Sequence, residues 1–91
     1  MNENYDFYGL TDEQEKIAID LYENNKRCYG NYTLEEVDAD TLDSWIDNAK
    51  ADGDEEYEEF LTEAQLNDAD VFVLTDHLGD FSQPIGEFVV Y

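Results

Sequence analysis

Between Glu35 and Asp70 the chain reads EEVDADTLDSWIDNAKADGDEEYEEFLTEAQLNDAD, 36 residues that hold 15 carboxylates and one base, Lys50. A run this acidic is ordinarily a disordered tail, because it has too little apolar surface to offset the entropy of ordering. Here the same run carries Val37, Leu42, Trp45, Ile46, Tyr57, Phe60, Leu61 and Ala64 at helical spacing. It must therefore fold with one dry face and one charged face. That double requirement points to short amphipathic helices laid on a core built by the remaining segments.

The chain has 91 residues, 42% of them hydrophobic and 14% aromatic, which suits one small domain with a modest core. Its 25 acids stand against Lys16, Lys26, Arg27 and Lys50, giving a formal charge of −21. Solubility asks a magnitude of only about 2 to 8 of a small domain. Repulsion on this scale opposes the compact state, while a polyanion attracts basic surfaces and speeds encounters with them. A positively charged partner is expected, and nucleic acid, anionic membranes and acidic substrates are poor direct ligands. Cys28 is the only cysteine, so no internal disulfide forms, and it reads as a small core residue in a reducing compartment. MNENYDFYGL lacks a basic region followed by an apolar run, and no segment approaches the roughly 18 apolar residues of a membrane span. The expectation is a soluble cytoplasmic protein, in the host cell if a phage encodes it.

Tyr5, Phe7 and Tyr8 suggest a short N-terminal strand or lead-in within residues 1–10. Thr11 with Gln14 forms a capping box that opens a helix from Asp12 to about Asn25, striped by Ile17, Ala18, Leu21 and Tyr22. Cys28 to Tyr32 reads as a turn around Gly30 and Asn31. Thr33 with Glu36 resembles a second capping box, opening a helical region to about Lys50. In one continuous helix Glu36, Asp40, Asp43 and Asp47 would lie within about 60° of one another. Asp38 would then point into the apolar side, so it serves better as an N-cap, and a break is expected near Asp38 to Asp40. Gly53 ends that helix and Asp54 caps the next, whose stripe is Tyr57, Phe60, Leu61 and Ala64. DVFVLT, Asp70 to Thr75, is a buried strand; Asp76 to Gly86, with Gly79, Pro84 and Gly86, reads as loop; EFVVY, Glu87 to Tyr91, is the last strand. The predicted fold is α+β, with three to four short acidic amphipathic helices packed on a small antiparallel sheet of two to three strands.

Chemistry is sparse by comparison. Asp52, Asp54, Glu56 and Glu63 fall at positions 1, 3, 5 and 12 of an EF-hand-like loop, but position 6, which needs glycine, is Tyr57. His77, the only histidine, has no nearby cysteine partner and reads as structural or surface. Carboxylate pairs abound, yet a glycosidase-like pair needs a cleft, and no Gly-rich phosphate loop is present. Neither enzyme activity nor a metal or cofactor is expected.

What remains is the acidic surface. Ordinary solvated helix faces interleave Lys with Glu, whereas Glu36/Asp40, Asp43/Asp47, Glu55/Glu59 and Glu59/Glu63 are like-charge pairs, each costing about 0.2 to 0.5 kcal/mol. Their sum of about 1 to 2 kcal/mol is a sizeable part of a small domain's roughly 5 kcal/mol. A sequence that tolerates this is using its field. High-salt adaptation is the competing explanation, one that the seven tyrosines do not especially suggest. Carboxylates three or four residues apart on a helix stand about 5 to 6 Å apart, and duplex DNA carries one charge per about 1.7 Å of axis. Acidic helices around Asp43 and Glu59 would lay two such rows across a fixed core. The candidate surface is Glu36, Asp40, Asp43 and Asp47, then Asp52 and Asp54, then Glu55, Glu56, Glu58, Glu59 and Glu63. The expected function is imitation of DNA: the chain occupies the groove of a basic nucleic-acid-binding protein of a host and excludes the real ligand. The alternative is an acidic module docking on a basic patch unrelated to nucleic acid, anchored by Trp45 or the tyrosines. A divalent-ion buffer is a third, less supported class. A homodimer would extend the acidic track, and the sequence leaves that open.

In the last third, Tyr57-Glu58-Glu59-Phe60, Glu63-Ala64-Gln65-Leu66, Phe72-Val73-Leu74-Thr75-Asp76-His77 and Glu87-Phe88-Val89-Val90-Tyr91 resemble the closing segment of ArdA antirestriction proteins. That family consists of elongated acidic DNA mimics, carried by phages and mobile elements, that block type I restriction enzymes. The resemblance implies the same class of target. Family members are nearly twice as long, and their histidine is followed directly by Gly and the last strand, whereas Leu78 to Ile85 intervene here.

Overall fold

Residues 4–91 are described by a computed structural model. Tyr5–Tyr8 forms a strand (β1), Asp12–Glu23 a helix (α1), Tyr32–Val37 a strand (β2), Ala39–Asp52 and Glu55–Leu66 two helices (α2 and α3), and Asp70–Leu78 and Phe81–Val90 two strands (β3 and β4). All strand pairs are antiparallel, in the order β1-β4-β3-β2. The sheet thus has four strands, where two to three were expected. Met1 to Glu3, part of the expected N-terminal lead-in, lie outside the described residues.

Because successive strand residues face opposite sides, the sheet builds two cores. Val71 and Val89 pack with Leu42, Ile46, Phe60, Leu61 and Ala64 of α2 and α3 on one side. Leu74 and Phe88 pack with Ile17, Ala18 and Leu21 of α1 on the other. Across the second side Phe7, Phe88 and Phe72 stand in register, with ring centroids 5.2 and 6.0 Å apart. Tyr22 of α1 meets Phe72 and Phe88 edge-on at 5.4 and 5.8 Å. Such pairings add to the area the rings bury.

The helix ends follow their caps. Gln14 N donates to Thr11 Oγ1 at 3.2 Å and Thr11 N to Gln14 Oε1 at 2.9 Å, completing the capping box of α1. Asp38 Oδ1 accepts from Thr41 N at 2.8 Å and starts α2. Gly53 ends it at φ +73°, where glycine carries no Cβ penalty. Asp54 accepts from Tyr57 N at 3.3 Å and starts α3.

Three expectations are corrected. Thr33 to Glu36 is not the first turn of a helix but the middle of β2, paired with Phe72 to Thr75. Strand pairing, with Tyr32 and Leu34 half-buried on the α1 core and Val37 on the α2–α3 core, outweighs a local capping signal, and Asp38 supplies the real cap. Asp76 to Gly86 is not a loop, since β3 runs on to Leu78 and β4 starts at Phe81. The two-residue turn puts Gly79 at φ +64°, the conformation such a hairpin needs at its first position. Between Leu74 and Thr75 the register slips, with Leu74 opposite Gly86 and Thr75 opposite Pro84, so Ile85 is the extra residue of a bulge. Pro84 is tolerated because β1 pairs only with Glu87 to Val90, leaving this stretch at the sheet edge. Finally, Cys28 is exposed rather than part of the core.

Candidate acidic interaction surface

On α2 the positions Asp40, Asp43 and Asp47 share one exposed face, opposite Leu42, Ile46 and Ala49, which are buried. Gln65 of α3 donates to Asp43, so this row is tied to the neighbouring helix. On α3 the residues Glu55, Glu58, Glu59 and Glu63 surround a shallow depression with Thr62 and Leu66. Phe60, Leu61 and Ala64 hold that face outward by burying the opposite one. These two rows are the acidic helix fronts read from the periodicity.

The remaining candidates fall elsewhere. Glu36 does not continue the α2 row, because it lies on β2 opposite Phe72. Asp52 closes α2, and with Asp54 it borders a small cleft beside Trp45 and Tyr57. Glu56 is exposed in the first turn of α3; burial, and then the charges of Asp54, Glu56 and Glu87, push the Tyr8 hydroxyl above its usual range. The would-be calcium loop from Asp52 to Glu63 is mostly helix α3. Among the described residues no three His, Cys, Asp or Glu side chains are arranged to hold a metal ion. His77 is half-buried on β3 with Nε2 2.6 Å from Thr33 Oγ1, a cross-strand structural contact.

Cations hardly offset this charge. Among the described residues the one ion pair joins Lys26 Nζ to Asp20 Oδ2 at 2.8 Å, on the α1 side. Lys16, Arg27 and Lys50 are exposed and join no ion pair there. Protein-family models, curated proteins and solved structures offer no match to the chain.

Sequence reasoning missed two features of this surface. One is the acidity of the other face, where α1 carries Asp12, Glu13, Glu15, Asp20 and Glu23. The other is Glu87, whose partner lies 30 residues away. Tyr57 Oη donates to Glu87 Oε1 at 2.5 Å across the α3–β4 junction. Burial raises the Glu87 carboxyl above its ordinary range, against the opposing pull of that hydrogen bond. Burial and then Glu87 raise the Tyr57 hydroxyl far above its own. Beside this pair, α2, α3 and the sheet border an open groove of about 590 Å³ that runs from Trp45 and Tyr57 to Thr75 and His77. No local sequence pattern marks it, since its walls come from five elements.

Proposed function

We propose that the chain is a DNA-mimic inhibitor encoded by a phage or mobile element. It acts in the host cytoplasm by filling the nucleic-acid-binding groove of a restriction enzyme, CRISPR effector, nucleoid protein or polymerase. The observation that carries this reading is charge per length. With Glu3 set aside, the described residues hold −20 of the formal −21, on a body with extents of 34 × 33 × 23 Å. A duplex as long as the largest of these holds about 20 charges at one per about 1.7 Å. Few of the carboxylates are neutralised by the protein's own cations, and helix fronts on a packed core hold the α2 and α3 rows outward. The resemblance of the closing segment to ArdA proteins supports the same class of target. Catalysis plays no part in this reading.

A purified panel of such proteins, titrated with the chain at 50 and 200 mM salt with duplex DNA as competitor, tests it. Binding that weakens with salt and yields to DNA is expected; binding indifferent to both would overturn it. The half-buried Trp45 beside the groove supports the alternative, an acidic module for a partner unrelated to nucleic acid. In that case Trp45→Ala weakens binding more than the paired change Glu55→Gln with Glu59→Gln, and DNA does not compete.

A further inference from the structure

The pair α2–α3 covers only part of its side of the sheet. Its contacts centre on Val71 and Val89, while β3 and β4 run on to the turn at Gly79. The uncovered stretch forms the floor of the groove of about 590 Å³, within the roughly 300 to 1,000 Å³ of ligand-binding clefts. Val73 gives this floor an apolar patch, and Trp45 and Tyr57 form an aromatic wall. Glu35 and Glu87 add carboxylates, and neither Lys nor Arg lines the groove.

Two polar side chains set its chemistry. Thr75 is 9% exposed and lines the groove, where its hydroxyl can donate or accept. Glu87 is half-buried and accepts from Tyr57 through Oε1, which leaves Oε2 to face the groove. A half-buried carboxylate held away from any cation is a favourable partner for one brought by a ligand. Aromatic faces attract cations, and guanidinium suits such a site better than ammonium: it is planar, stacks, is weakly hydrated and presents several donors in a fixed fork.

The geometry points to a receptor for one arginine side chain of the partner protein, with its stem on Val73, its guanidinium stacked on Trp45 or Tyr57, and N–H donors aimed at Glu87 Oε2 and Thr75 Oγ1. It rests on the proposed function only for the partner being basic. Long-range charge then brings the partner in, and the groove fixes its register. This is a division of labour familiar at interfaces where rim charges steer and buried contacts hold.

The test is a titration of isotope-labelled chain with N-acetylarginine amide, and in parallel with the uncharged isostere N-acetylcitrulline amide. Saturable NMR shifts at the Trp45 indole N–H and the Val73 and Thr75 amides are expected with the arginine compound, with about tenfold weaker binding of the citrulline one. Glu87→Gln retains an acceptor for Tyr57 and is expected to weaken arginine binding about tenfold. Thr75→Val, matched in shape, should weaken it several-fold with the rest of the spectrum unchanged. Shifts spread along α2 and α3 but absent from Trp45 and Thr75, or equal binding of the two amides, would overturn the receptor. The two proposals part cleanly. Arginine binding at Trp45 without displacement of DNA from any panel protein sinks the mimic and keeps the groove; displacement with no response at Trp45 does the reverse.

Discussion

Tyr57 and Glu87 join the acidic helix layer to the middle of the sheet through one short hydrogen bond. Tyr57→Phe leaves a buried acceptor without its donor, so a loss of about 1 to 2 kcal/mol is expected in urea unfolding at neutral pH. The same carboxyl gives a pH signature. Its folded pKa is raised, chiefly by burial, so the folded state binds its proton more readily than the unfolded chain. That contribution to stability is full below the ordinary glutamate range and fades as pH rises through the raised value. Glu87→Gln should flatten this part of the profile; an unchanged slope would count against the assignment. Asp38 has the opposite sign, since the Thr41 N–H holds its carboxyl below the usual range and its support for α2 is lost on acidification. Gly86 is a constraint of another kind. A Cβ there would stand 2.5 Å from Tyr8 O and 2.6 Å from Leu10 Cδ2. Gly86→Ala is therefore expected to loosen β1 and cost about 1 to 3 kcal/mol in urea unfolding.

At the scale of elements, α3 carries charge at the expense of its own stability. Glu59 sits one turn from both Glu55 and Glu63, so Glu59→Gln relieves two repulsions and should stabilise the fold by about 0.4 to 1 kcal/mol. Its affinity for a basic partner should fall at the same time. A variant that gains stability and loses binding separates function from folding; one that changes neither refutes the role of this row. How far such elements were readable depended on the range of their causes. Thr11, Asp38, Gly53 and Asp54 act on backbone within a few residues, so the boundaries of α1, α2 and α3 were legible, as were the rows at Asp43 and Glu59. Thr33 to Glu36 was misread because pairing with Phe72 to Thr75, some 40 residues on, overrides its capping pattern. Gly79, Pro84 and Gly86 looked like loop signals, yet they serve a tight turn, an edge position and a close backbone approach within one hairpin. The groove was unreadable for the same reason, as Trp45, Thr75 and Glu87 meet only through the sheet.

For the whole molecule, a sheet with helices on both sides carries almost unopposed negative charge. Screening lengths fall from about 10 Å in 0.1 M salt to 3 Å in 1 M, so the melting temperature should climb with sodium chloride. Each 1 kcal/mol of relieved repulsion corresponds to about 4 to 8 °C for a domain this small. Affinity for the partner should move the other way, because the same screening weakens the attraction. A fold whose stability ignored salt would not be strained by its own field. The most direct measurement follows the anisotropy of a fluorescent duplex bound to the target protein while the unlabelled chain is added at constant salt. Stoichiometric release of the duplex, with no ternary species, is the predicted result. A complex that holds the chain and the duplex together would contradict the account, for the two would then occupy different surfaces.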